Sequence, residues 1–445
     1  AFAAQRPPNI VTILADDMGY GDLGCYGGPI PTPALDKMAA EGVRFTQAYV
    51  ASPICSPSRV GITTGQCPGR HGIFSYLNDR ASHRKMGMKD WLDPQAPSLA
   101  RTLQQAGYAT VHCGKWHMGG GRDIGDAPLP TEYGFDDSLT SFEGLGDRVL
   151  PPGRLSEMNE KLGRGQISHA PQHKLTELYV DRALGFIEKR HRQQPFFLQL
   201  WPNDVHDPFA PKPELLAKHQ AQFAKNKYDQ QYFSMLDEMD RQIGRLTSEL
   251  EKMGAAENTL FLFLSDNGPT AWPRYYNEGL MPPGSTSGLR GRKWSLYEGG
   301  IRVPLIARWK GRIPAGRTDR TTVFSSLDLF PTLARLAQAK PPAVVFDGED
   351  LSGALLGRPK QRKKDLFWEY GRDASFLRPG LKQDQSPNLA LRSGRWKYLI
   401  NADESQPELY DLERAPNEAE DIAGREPAVA RRLREKLLAW RRSLP

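Results

Sequence analysis

The sequence predicts an α/β protein. It has a large domain with a mainly parallel central sheet flanked by helices, then a small C-terminal antiparallel sheet with one packed helix. Three observations predict this. Short apolar runs rich in β-branched and aromatic residues alternate with helical patterns. The 445 residues are too many for one simple core and suit one large domain plus a smaller one. At 359–364 the composition turns basic and poorly apolar, which divides the chain into domains 1–360 and 361–445.

In the first part the predicted strands are Ile10 to Leu14, Ala109 to Cys113, Phe196 to Trp201 and Leu260 to Leu264. The predicted helices are Pro33 to Glu41, Ser98 to Ala106, Leu175 to Lys189 and Gln231 to Lys252. The last carries Phe233, Leu236, Met239, Ile243, Leu246 and Leu250 on one stripe. In the second part Leu366–Tyr370, Leu389–Arg392 and Trp396–Ile400 read as strands. Ser393-Gly394-Arg395 signals a hairpin between two of them, and Pro427 to Ser443 reads as the closing helix.

Hydrophobic residues are 39% and charged residues 25%, the composition of an ordinary globular protein. No apolar run is long enough to span a bilayer. Ala1-Phe2-Ala3-Ala4 resembles the small-x-small tail of a signal cleavage site, so a periplasmic or secreted protein is expected. The net charge of +7 fits attraction to a polyanion such as a sulfated glycan, and plain solubility explains it equally. No basic helix, zinc finger or RNA-binding motif accompanies that charge, so nucleic acid is not an expected partner. Cys25, Cys55, Cys67 and Cys113 show no C-x-x-C spacing, which argues against a structural zinc site.

The ends of the strands carry the functional signal. The four strands run respectively into Asp16-Asp17, into Lys115 and His117, into His206, and into Asp266-Asn267. Open α/β sheets bind ligands beyond the carboxyl ends of their strands. Asp16, Asp17, Asp266 and Asn267 are hard oxygen donors that suit Ca²⁺, or less well Mg²⁺, rather than zinc. Three carboxylates meeting without a cation would repel one another. Each pair also has a plainer reading, as a helix cap or a turn. Lys115 and His117 lie two apart and face the same way on an extended segment. In Cys55-Ser56-Pro57-Ser58-Arg59, a helix starting at Pro57 puts Cys55 at an anion-favouring amino end with Arg59 one turn on.

Cys55 through Gly65, with its C-x-P-S-R pattern, resembles the signature of the formylglycine-dependent sulfatases. Asn9 through Asp17, Gly114 through His117, His206, Ser265 through Gly268, Lys293 through Gly300 and Leu409-Tyr410-Asp411-Leu412 also look like that family, in the style of its arylsulfatase A and N-acetylgalactosamine-6-sulfatase branch. The resemblance implies an alkaline-phosphatase-like fold and a sulfuric ester hydrolase acting on a sulfated small molecule or glycan. It implies that a formylglycine-generating maturation enzyme oxidises Cys55 to formylglycine, whose hydrate attacks sulfur to give a covalent sulfo-enzyme intermediate. That use of Cys55 leaves three thiols and at most one disulfide.

The implied metal ligands are Asp16, Asp17, Cys55, Asp266 and Asn267. Arg59, Lys115, His206 and Lys293 offset charge on the transferring group, His206 alone or with Lys293 protonates the leaving alcohol, and His117 is the base that regenerates the aldehyde. Thr63 stands where the family often has leucine, and its hydroxyl is expected to bond the preceding helical turn. A phosphate or phosphonate ester hydrolase and a non-catalytic glycan-binding relic are the alternative readings. Trp272, Arg274, Tyr275 and Tyr276, with loops between 122 and 173, are the expected pocket rim.

Overall fold

The four apolar runs become four adjacent parallel strands at the centre of a nine-stranded sheet. The structure is a computed structural model that describes residues 6–372 and 376–445. In chain order the strands are β1 Asn9–Ala15, β2 Val43–Tyr49, β3 Ala109–Gly114, β4 Asp137–Leu139, β5 Arg148–Leu150, β6 Ile167–His169, β7 Phe196–Trp201, β8 Thr259–Ser265, β9 Arg302–Arg308, β10 Arg317–Asp319 and β11 Phe324–Ser325. The sheet order is β10-β2-β9-β8-β1-β7-β3-β4, with β11 also on β2. β9 alone runs against the others. The β2 and β9 segments were not among the sequence-predicted strands.

Both faces of this sheet are covered, which is why its strands read as unbroken apolar runs rather than alternations. Ile10, Phe197, Leu260 and Leu262 point to one face, under the helices Cys55–Thr64, Leu99–Gln105 and Leu329–Leu336. Val11, Leu198, Phe261 and Phe263 point to the other, under Pro33–Ala40, Leu175–Glu188 and Lys227–Lys252. The last helix starts four residues before its predicted start because the Asn226 side chain caps it through the Tyr228 N–H.

β12 Leu366–Glu369, β13 Leu389–Ser393, β14 Trp396–Ile400 and β15 Glu408–Asp411 form the small antiparallel sheet. Helix Pro427–Arg442 packs on its outer face through Leu433 and Leu437. Its inner face, through Trp368, Leu399 and Tyr410, joins a core cluster that includes Ile54, Cys55 and Trp294. The Trp368 indole N–H donates to Val50 O at 2.7 Å. The small sheet therefore forms one wall beside Cys55.

Among the described residues no helix is long and apolar enough to cross a membrane. All four cysteines are free thiols, so none forms the disulfide that the sequence allowed. The chain-start reading falls on residues 1–4, outside the described residues.

Candidate active site

Four strand ends, one helix start and one loop build the site. β1 delivers Asp16 and Asp17, with Asp17 in the left-handed region at φ 63°. β8 delivers Asp266 and Asn267 beside them, and the Asp17 N–H donates to Asp266 Oδ1 at 3.1 Å. β3 delivers Lys115, whose Nζ donates to Asp16 Oδ2 at 2.7 Å. After β7 comes His206, its Nε2 3.5 Å from Asp17 Oδ2. Lys293, from the loop before β9, donates to both Asp17 oxygens at 2.6 and 2.7 Å and lies 3.5 Å from Cys55 Sγ.

Cys55 opens its helix after an extended Ile54, whose apolar side chain cannot cap that start. Every residue of the helix is buried. Gly65 closes it in the left-handed conformation that a glycine C-cap supplies. Arg59, one turn on, turns inward: Nη2 donates to Asp266 Oδ2 at 2.7 Å, and the guanidinium lies over the Trp201 ring.

Two glycines let these segments meet. A Cβ on Gly268 would lie 1.9 Å from Gly299 O, and one on Gly114 would lie 1.9 Å from Trp201 O. Only hydrogen at those positions allows such close backbone approach.

Burial works against ionising Asp16 and Asp17. For Asp16 it is outweighed by Lys115, His206 and Arg59, and for Asp17 by Lys293 and His206, so both carboxyls sit below their ordinary range. Asp266 goes the other way. Burial and the Asp16 charge push it up to about 7 in spite of Arg59. Burial also opposes charge on His206, yet Asp17 outweighs it and holds the imidazolium above its ordinary range.

Ligating atoms of Asp16, Asp17, Cys55 and His206 lie within 4.8 Å of one another. Asp16 Oδ1 and Asn267 Oδ1 are buried with no hydrogen-bond partner among the described residues. Unsatisfied buried oxygens converging with crowded carboxylates fit a hard divalent cation. A cation there would also favour the ionised form of Asp266. Asp266 itself lies outside the tightest group, and Arg59 and the Asp17 N–H engage its oxygens. His206, expected to offset charge and to act as an acid but not as a ligand, lies inside it.

The segment after β3 is not simply extended, since His117 adopts φ 53° and the chain turns there. The His117 Nε2 faces Leu77 O at 2.9 Å, close enough to Lys115 for that charge to act on the ring. Two sequence expectations need correction. The Thr63 hydroxyl donates to the Met118 sulfur at 3.4 Å rather than to its own helix. It is Thr64 that bonds back, to Val60 O at 2.8 Å. Tyr275 is not a rim residue: it is fully buried, with its hydroxyl on Asp207. Trp272 is partly buried against Trp294, Arg274 is paired with Asp207, and Tyr276 is partly buried.

The cavity that opens on Asp16, Lys115 and His206 has a volume of about 180 Å³. Phe142, Pro151, Leu155 and Pro208 wall it. Phe142 to Leu155 fall in the 122–173 span, but Phe142 and Pro208 carried no individual signal in the sequence.

The family model described as Sulfatase matches residues 8–339. The chain belongs to the sulfatase family. A second model, N-sulphoglucosamine sulphohydrolase, C-terminal, matches residues 291–443. The sulfatase is 32% identical over 484 residues to arylsulfatase A of Homo sapiens, covering 98% of this chain and 88% of that protein. It is 36% identical over 371 residues to N-acetylgalactosamine-6-sulfatase of Canis lupus familiaris, covering 80% and 67% respectively. Among solved structures, Ps i-CgsB in complex with k-i-k-neocarrahexaose superposes with a TM-score of 0.79 at 28% identity, covering 98% of this chain and 93% of that one. These relatives mark the sulfatase as a sulfuric ester hydrolase of alkaline-phosphatase-like fold.

Proposed function

We propose that this sulfatase removes sulfate from a sulfated carbohydrate at Cys55, with Asp16, Asp17, Asp266, Asn267 and residue 55 holding a Ca²⁺ ion. One observation carries the reading: a buried thiol at a helix start lies 3.5 Å from Lys293 and shares a 4.8 Å cluster with two carboxylates and a histidine. Bound there, the cation would neutralise the carboxylates and draw charge from a sulfate oxygen. Cys55, oxidised by a maturation enzyme to formylglycine, would supply the nucleophile as its hydrate.

The other side chains bind and move protons. Lys115, Lys293 and Arg59 are buried cations that grip the tetrahedral, singly charged sulfate ester and offset the charge that develops as the S–O bond breaks. They are already positioned on Asp16, Asp17 and Asp266, so little reorganisation accompanies the reaction. Asp17 favours the protonated form of His206, whose side chain is 27% exposed at the mouth of the cavity. His206 donates that proton from Nε2 to the leaving alcohol oxygen. His117 is held neutral, since burial pushes it down to about 3, and accepts a proton at Nδ1.

Support for a carbohydrate comes from the names of the relatives, N-acetylgalactosamine-6-sulfatase and a neocarrahexaose complex. The apolar walls of the cavity also suit the face of one sugar ring. Residues 1–360 would carry catalysis and 361–445 a small C-terminal domain that walls Cys55. A glycan substrate outside the cell favours a periplasmic or secreted enzyme, which fractionation of the producing cell would check.

Sulfate release should be followed from 6-sulfated N-acetylgalactosamine, from a sulfated galactan oligosaccharide and from an aryl sulfate, with phosphate and phosphonate esters alongside. Cys55→Ala is the control. Faster turnover of a phosphate or phosphonate ester would support the alternative reading. Glycan binding with no turnover in any arm, in protein carrying the aldehyde, would support the relic.

A further inference from the structure

Glu143 lies beside the site in the segment after β4, and the mechanism above leaves it unused. Its carbonyl accepts the His117 main-chain N–H at 2.8 Å, which ties that segment to the turn bearing His117. Its side chain is buried, and Oε2 lies 3.5 Å from His117 Nε2. Leu77 O faces the same nitrogen at 2.9 Å. Leu77 is fixed in turn, since its N–H donates to Ser56 Oγ at 2.9 Å, next to Cys55.

A neutral imidazole carries one N–H. Two acceptors at Nε2 assign it there, so Nδ1 carries the lone pair. Nδ1 is buried and has no hydrogen-bond partner among the described residues. A basic nitrogen kept dry and unpaired is what a proton acceptor needs, and it is a costly arrangement otherwise. The far oxygen of Glu143, Oε1, lies 3.8 Å from Arg122 Nη2, which tethers the carboxylate from the solvent side.

We propose that Glu143 is a positioning residue: it holds His117 in the Nε2–H tautomer with Nδ1 free, and offsets the charge the ring gains when Nδ1 takes a proton. This rests on the reading of His117 as the base. Electrostatics agree. Burial disfavours charge on His117, Lys115 and Arg59 disfavour it further, and Glu143 is the carboxylate working in its favour. The arrangement follows the general pattern in which a third group orients a histidine base.

The test uses full-length protein carrying ¹⁵N-labelled histidine, with Glu143→Gln, Glu143→Asp and His117→Ala as variants. Imidazole ¹⁵N shifts report the tautomer whether or not Cys55 has been converted. Wild type should show Nε2–H. Glu143→Gln, whose amide can donate to Nε2, should move population to Nδ1–H. Its kcat should fall roughly 10–100-fold with KM little changed.

Glu143→Asp keeps the charge one methylene further back and should retain the Nε2–H form while losing less of kcat. If Glu143→Gln keeps both tautomer and kcat while His117→Ala is inactive, the proposal is overturned. If Glu143→Gln does not fold, wild-type kcat in Glu143→Asp overturns it, and a lowered kcat at unchanged KM supports it. Full activity in His117→Ala would remove the base reading itself, which is a separate failure.

Discussion

At the level of single residues, the site works by pairing every buried charge with an opposite one. Lys293 is the clearest case. Burial would lower its pKa, but Asp17 and Cys55 raise it above the ordinary lysine value, so it stays cationic. Lys293→Met should lower kcat by roughly 10²–10³-fold, as expected for losing one preorganised electrostatic contact. Steady-state kinetics on the maturated variant checks this, and a change confined to KM would assign Lys293 to binding alone.

Asp22 gives a pH prediction away from the reacting groups. Burial pushes it up to about 6 although Tyr232 and the N–H groups of Ser285 and Gly19 all donate to it. A raised carboxyl binds its proton more tightly in the folded state. Its contribution therefore favours folding at low pH, and stability falls as pH rises from about 3.8 to about 6. The difference is about 3 kcal/mol. Asp22→Asn should remove close to one proton from the pH slope of unfolding in that window, read by denaturant titration at several pH values. An unchanged slope would rule the effect out.

Individual elements fix the site through strand ends and close backbone approach. The sequence located β1, β3, β7 and β8 because fully buried parallel strands must be apolar throughout. It did not locate β2, whose burial is mixed, or β9, which begins with Arg302 and ends with Arg308. The turn after β8 passes so near Gly299 that Gly268→Ala must displace backbone. That should cost about 1–3 kcal/mol, the usual scale of overpacking. It should also reduce activity more than stability, because Asp266 and Asn267 move with the turn. Thermal melts set against kcat would show this, and equal activity in a destabilised variant would refute it. The Pro-Ser-Arg pattern foretold the helix at Cys55, since proline fits a first turn. The inward aim of Arg59 came only from Asp266 and Trp201 across the sheet.

At the scale of the whole molecule, the small C-terminal sheet and the catalytic layer are joined by a buried ionic knot. Lys397 on β14 lies 2.9 Å from Glu298 and 2.8 Å from Glu418, all three side chains fully buried. Glu298 also accepts from Tyr49 on β2 at 2.6 Å, and it follows Lys293 by five residues. Burial pushes Glu418 up to about 7, whereas Lys397 outweighs burial at Glu298 and holds it low. Lys397→Met would strand two carboxyls without their shared cation and should cost about 3–5 kcal/mol. Equilibrium unfolding checks it, and near-wild-type stability would show that one carboxyl simply takes up a proton.

The cation proposed among Asp16, Asp17, Asp266 and Asn267 would act on the whole fold by mass action. Chelator should lower both Tm and activity, with Ca²⁺ restoring them at lower concentration than Mg²⁺. Insensitivity of Tm to chelator and to Ca²⁺ would remove the metal from the site.

The chain by itself determined the central strands, most of their covering helices and the polar residues gathered at the strand ends. These depend on local rules: burial on both faces demands unbroken apolar runs, and the residues just beyond a strand are the ones left free to be polar. Tertiary structure alone decided which atoms face which. The turn at His117 set its Nε2 on Leu77 O, burial withdrew Tyr275 from the rim, and Glu143 came to rest against His117 from 26 residues away. Such choices depend on packing between segments distant in sequence, and neither periodicity nor spacing encodes those contacts.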